Sequence, residues 1–142
     1  MKKWMIVAAC AALYVPSIAS AQEAKAERMT GVHWVAVSMV KFLPGKRERA
    51  EQIVANYFSK AGKDNNDGVI NLEMDTGPWD FITVFPMEGG PGDISWKTAP
   101  SDLRFMTALA KYAGGMDGAK KILAEWNTLV SREEHHIAHR HD

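Results

Sequence analysis

The stretch VHWVAVSMVKF, Val32 to Phe42, decides the fold. Side chains alternate across a strand. Here alternation sorts Val32, Trp34, Ala36, Ser38, Val40 and Phe42 onto one face and His33, Val35, Val37, Met39 and Lys41 onto the other. Neither face is polar along its length, so the segment reads as a β-strand that must be covered from two sides. A layer of helices covers one face. Something else must cover the second, and the sequence leaves open which face is which.

Working outward, Leu43-Pro44-Gly45 closes the strand and residues 46–63 switch to a helical period. Ala50, Ile53, Val54, Tyr57, Phe58 and Ala61 fall on one stripe, the pattern of a helix packed on a sheet. Residues 69–75 then alternate, with Ile70, Leu72 and Met74 opposite Asn71, Glu73 and Asp75, which predicts a strand near the sheet edge. Thr76-Gly77-Pro78 turns the chain, and residues 79–86 (WDFITVFP) return as the second strand of a hairpin. Being apolar on both faces, that return strand is expected to be central.

Residues 87–100 contain Gly89-Gly90-Pro91-Gly92 and read as the longest loop, with Trp96 set either to pin it to the core or to line a pocket. A helix is predicted over residues 102–112 with Ser101 as its N-cap, a break at Gly114-Gly115, and a second helix from about residue 116 to 131. The last residues, 135–142, are a histidine-rich tail or a short edge strand. A strand completes a strand–helix–strand, strand–helix–strand order and is the favoured reading.

At the other end, residues 1–21 read as a cleaved signal peptide. Lys2 and Lys3 precede an apolar run, and Ala19-Ser20-Ala21 forms an A-x-A cleavage site. A retained anchor fits less well, because a spanning helix needs about 20 apolar residues and Pro16 interrupts this run. The expectation is a periplasmic or secreted protein with no stable membrane span after cleavage, a flexible leader over 22–31 and a domain over 32–134. Cleavage removes Cys10, the one cysteine, so no disulfide forms within the mature chain and the core alone supplies stability. Removing Lys2 and Lys3 from a balance of 17 basic and 17 acidic residues leaves a formal charge of −2. That near-neutrality argues against a nucleic-acid partner, which calls for a basic footprint.

The element order, with phrases such as HWVAVSMVKFLPGK and GPWDFITVF, resembles the dimeric α+β barrel superfamily, whose members have a ferredoxin-like βαββαβ sandwich with an antiparallel sheet. The resemblance implies a homodimer in which two sheets meet face to face. It also implies a chamber for a small apolar ligand between them, which is the function expected. The superfamily includes oxygenases, isomerases and haem-degrading enzymes, so the resemblance admits an oxygenase- or isomerase-like enzyme as an alternative.

For that alternative the titratable candidates are His33 and Asp80, with Trp34, Trp79, Phe81 and Trp96 as walls of a ligand pocket. The cofactor is left open: a haem needs an axial ligand, which the mature chain could draw only from His33 or the tail histidines, cysteine being absent. A third reading is a metal-binding protein working through His135, His139 and His141, since exported histidine-rich tracts suit zinc, copper or nickel. No G-x-S-x-G elbow, phosphate loop or G-x-G-x-x-G is present, and Glu133-Glu134-His135-His136 does not match H-E-x-x-H.

Overall fold

The computed structural model describes residues 25–65 and 68–141, so the expected signal peptide and the start of the expected leader lie outside the described residues. Four strands form one antiparallel sheet in the order β2-β3-β1-β4. They are β1 (Val32–Phe42), β2 (Ile70–Glu73), β3 (Phe81–Pro86) and β4 (Val130–His141). Helices α1 (Arg47–Ile53) and α2 (Ser59–Asn65) follow β1, and α3 (Pro100–Ala113) and α4 (Met116–Leu129) follow β3. This is a mixed α+β architecture with a ferredoxin-like order of elements.

β1 has the limits its alternation predicts and lies between β3 and β4. β3 is central and β2 is at an edge, as expected. Both hairpin strands are shorter than predicted, because Trp79 and Asp80 precede β3 and Asp80 is drawn into a side-chain network described below.

The helix stripe holds, but α1 and α2 are joined by a π-helical turn, Val54–Phe58. The wider turn admits an extra residue. Adjacent Tyr57 and Phe58 both pack against each of the two buried clusters. One cluster joins sheet to helices: Val40, Phe42 and Phe81 meet Ala50, Ile53, Val54 and Leu129. The other, Ala61, Ala108, Leu109 and Ala119, contains helix residues alone.

Ser101 is not the N-cap of α3. Pro100 takes the first helical position, where its missing N–H costs nothing, and Ala99 is the cap, its N–H donated to the Asp102 carboxylate at 3.2 Å. Between β3 and α3, residues Gly90–Ser95 form a 3-10 helix rather than an irregular loop. α3 and α4 are joined through Gly114 and Gly115, both at positive φ, which closes the turn in two residues.

The C-terminal segment is a strand of twelve residues, longer than the short strand expected. It starts directly from α4. The register with β1 shifts at Lys41/Phe42, leaving Ser131 as the extra residue, and its hydroxyl donates to the carbonyls of Lys41 and Phe42 at 3.0 and 3.2 Å. Such a bulge bends the strand where it leaves the helix.

The register assigns the two faces of the sheet. Val40 pairs with Phe81, both buried against the helices, so the Trp34-to-Phe42 side of β1 is the inner face. The outer face carries Val35, Val37 and Met39 of β1 beside Ile82 and Val84 of β3, with Ile70 and Leu72 of β2 next to them. None of the seven belongs to either cluster or packs against one. Ile70 and Leu72 are 53% and 46% exposed.

Candidate functional site

The expected catalytic pair is not brought together. His33 is exposed near the start of β1 and pairs across to Arg140, whereas Asp80 lies beside Val40 and Phe42 at the other end. Nine residue steps of extended chain separate the two ends, about 30 Å at the strand rise. No reacting atom can touch both.

Asp80 is instead a structural group, 8% exposed and fully engaged. One oxygen accepts the Phe42 N–H at 2.8 Å and the other accepts from Lys41 Nζ at 2.9 Å, with Arg47 3.8 Å away. Burial pushes its carboxyl up and is the largest single influence. The Phe42 N–H, the Lys41 ammonium and the Arg47 guanidinium together outweigh it and hold the group below its ordinary value. A carboxylate so anchored is a poor general base.

The four expected pocket walls are also dispersed. Phe81 is core, packed edge-on to Phe42 at 5.9 Å. Trp79 lies under the Arg132 guanidinium, 4.9 Å from its ring centroid. Trp96 is 57% exposed and does not pack against either buried cluster. Trp34 alone remains at a site, half-buried on the inner face with its ring 4.9 Å from that of His139. The 3-10 helix comes close to it: a Cβ on Gly90 would stand 3.3 Å from the indole.

Around Trp34 the inner face is open. Phe85 and Ile137 flank Ala36 in the register and are 42% and 44% exposed, and neither buried cluster reaches them. The same face bears Ser38 and Thr83, whose hydroxyls donate to Glu133 and Asn71 at 3.0 Å each. A small cavity of about 190 Å³ adjoins, lined by Arg28, Met29, Trp34 and Pro91. The arrangement is an apolar floor with a few polar groups, suited to binding. Phe85 and Ile137 were missed in the sequence because each sits in an alternating strand like any core residue.

The tail histidines divide between faces. His135, His139 and His141 pair with Ser38, Trp34 and Val32 on the inner face, and His136 pairs with Val37 on the outer. His139 and His141 adjoin, their ring centroids 5.2 Å apart, while His135 stands beside Glu133 at 3.4 Å. Among the described residues no three His, Cys, Asp or Glu side chains are placed to share one ion, so the three are not gathered as a single site. Among the described residues no helix is long and apolar enough to cross a membrane.

The fold defines a class, the small ferredoxin-like α+β proteins. Comparison with solved structures agrees: a NIPSNAP family protein of Agrobacterium tumefaciens strain C58 superimposes with a TM-score of 0.51 at 13% identity, over 75% of this chain and 90% of that one. A second NIPSNAP family protein from the same strain, described as having unknown function, superimposes at 0.49 with 11% identity, over 77% and 88%. No protein-family model matches the sequence, and no curated protein matches it. At such identities the likeness speaks to fold alone, and the activity has to be argued from the site.

Proposed function

We propose that the chain is an exported homodimer of the dimeric α+β barrel kind that binds a small, largely apolar molecule. One observation carries the reading: the buried clusters reach only the Phe42 end of the inner face, leaving the outer face and the Trp34 end of the inner face with apolar side chains that are half-buried or exposed. The two surfaces suit different occupants. The outer patch of Val35, Val37, Met39, Ile70, Leu72, Ile82 and Val84 is apolar throughout. It is bordered by Lys41 on β1 and by Arg132, Glu134, His136 and Arg140 on β4. An apolar centre with a mixed-charge rim is the anatomy of a protein interface, and a twofold axis lets the same patch serve both partners.

The inner surface at Trp34, Phe85 and Ile137 combines aromatic and aliphatic floor with nearby hydroxyl and imidazole groups, the composition of a small-molecule site. The resemblance implies a ligand between the two sheets; we place it on the helix side of each sheet instead. Export is supported by Lys2, Lys3, the apolar run and Ala19-Ser20-Ala21. Light scattering on the secreted protein tests the reading: the expected mass is twice that of a chain beginning at Gln22. A monomer at micromolar concentration overturns it.

A further inference from the structure

His139 and His141 stand in a geometry that neither the dimer nor the apolar ligand requires. Two residues apart on β4, they point to the same side of the sheet. Their rings lie 5.2 Å apart between centroids, at 80° to each other. The backbone beneath them is not free to wander, because Trp34 pairs with His139 and Val32 with His141 along β1. The His139 ring also rests against the Trp34 indole at 4.9 Å.

We propose that His139 and His141 form a two-histidine chelate for a divalent cation of the zinc class. Imidazole is a preferred ligand of Zn²⁺, Cu²⁺ and Ni²⁺. With zinc at about 2.0–2.1 Å from one nitrogen of each ring, the metal lies about 3 Å from each centroid, and a tetrahedral angle then puts the centroids about 5 Å apart. The observed spacing matches that value, so the two rings already stand at chelating distance on a ladder-paired strand. A ladder-paired strand also removes most of the ordering cost that a flexible tail would carry on binding.

The site is bidentate, with water completing the shell, since among the described residues no third ligand joins it. The expected affinity is therefore micromolar, well short of a four-ligand structural zinc. The other histidines of the strand are built-in controls. His135 shares the face but lies four residues back, about 13 Å along the strand, and is engaged by Glu133 at 3.4 Å. His136 is on the outer face and reaches Glu134 at 3.3 Å. The pair sits on the inner face, so a partner docked on the outer face leaves it accessible, and the inference does not depend on the dimer.

Titration calorimetry of the purified protein with zinc chloride tests it, with far-UV circular dichroism confirming that each variant is folded. One zinc per chain is expected, with His139→Ala and His141→Ala each weakening binding at least about tenfold and His135→Ala and His136→Ala changing it by less than about twofold. In parallel, the ring-proton resonances of His139 and His141 should move on adding zinc while those of the other histidines stay. No heat of binding in the wild type, or equal weakening by His136→Ala, overturns the proposal. So does zinc that shifts all histidines alike.

Discussion

The carboxylate of Asp80 accepts the backbone N–H of Phe42 at 2.8 Å, tying the residue that leads into β3 to the last residue of β1. Phe42 is where β1 passes between β3 and the bulge of β4, and its ring packs on Phe81 and Trp126 at 5.9 and 5.3 Å. The acceptor therefore holds the corner on which the sheet-to-helix cluster is built. Removing it strands a buried N–H, while the Lys41 ammonium, 42% exposed, turns to water.

Asp80→Ala should cost about 1–3 kcal/mol, the range for leaving a buried polar group without a partner. Asp80→Asn keeps an acceptor for Phe42 and should cost less. The pH dependence separates the charge from the hydrogen bond. Because the folded carboxyl is held below its ordinary value of 3.8, its stabilisation is present above that value and is lost as pH falls through the lower folded one. Urea unfolding between pH 6 and pH 2 should show the wild type losing stability more steeply than Asp80→Asn. Parallel curves for the two would show that the charge contributes nothing.

The outer face predicts a switch of assembly. Val37 lies on β1 between Val84 of β3 and His136 of β4, in the middle of the uncovered patch. Val37→Lys puts a charge at the centre of the proposed interface, where burying it unpaired is costly, and solvates it in the monomer. Light scattering should give the monomer mass with an unchanged far-UV spectrum. Val37→Lys remaining dimeric would place the interface elsewhere.

At the α3–α4 turn the prediction is steric. A Cβ on Gly118 would clash with the Ala113 carbonyl oxygen, which is backbone and cannot step aside. Gly118→Ala should thus destabilise the protein by at least about 2 kcal/mol through forced separation of the two helices. Gly92→Ala, where a Cβ meets nothing within 4 Å, is the matched control and should be close to neutral. Equal midpoints in thermal unfolding would contradict the close approach.

What the sequence made legible follows from periodicity. Alternation gave the limits of β1, and the stripe from Ala50 to Ala61 gave the first helical segment, because burial on one side leaves a repeat that can be counted. What it hid depends on contacts between distant residues. Asp80 and His33 looked alike as titratable groups near apolar strands, and only the register shows that one is a staple at one end and the other is exposed at the opposite end. Gly118 reads as a weak helix former until the Ala113 carbonyl is placed against it. The π turn at Val54–Phe58 leaves the stripe intact and so leaves no mark. The face of β1 that meets the helices was undecidable for the same reason: both were apolar, and the choice is made by Val40 and Phe42 packing with Ile53 and Leu129.

That choice also fixes where a small ligand would be sought. Toward Phe42 the inner face is sealed by the cluster, so on that face the proposed binding surface lies toward Trp34, where Phe85 and Ile137 are left open. A fluorescent apolar probe such as anilinonaphthalene sulfonate should bind the dimer there, and Trp34→Ala should weaken that binding about tenfold by deleting the largest piece of the floor, an aromatic worth a few kcal/mol of buried surface. Leu72→Ser, on the outer face, should leave probe binding unchanged whether or not it weakens the dimer. If instead Leu72→Ser abolishes probe binding and Trp34→Ala does not, the ligand lies between the sheets and the inner face is only an unfilled margin of the core.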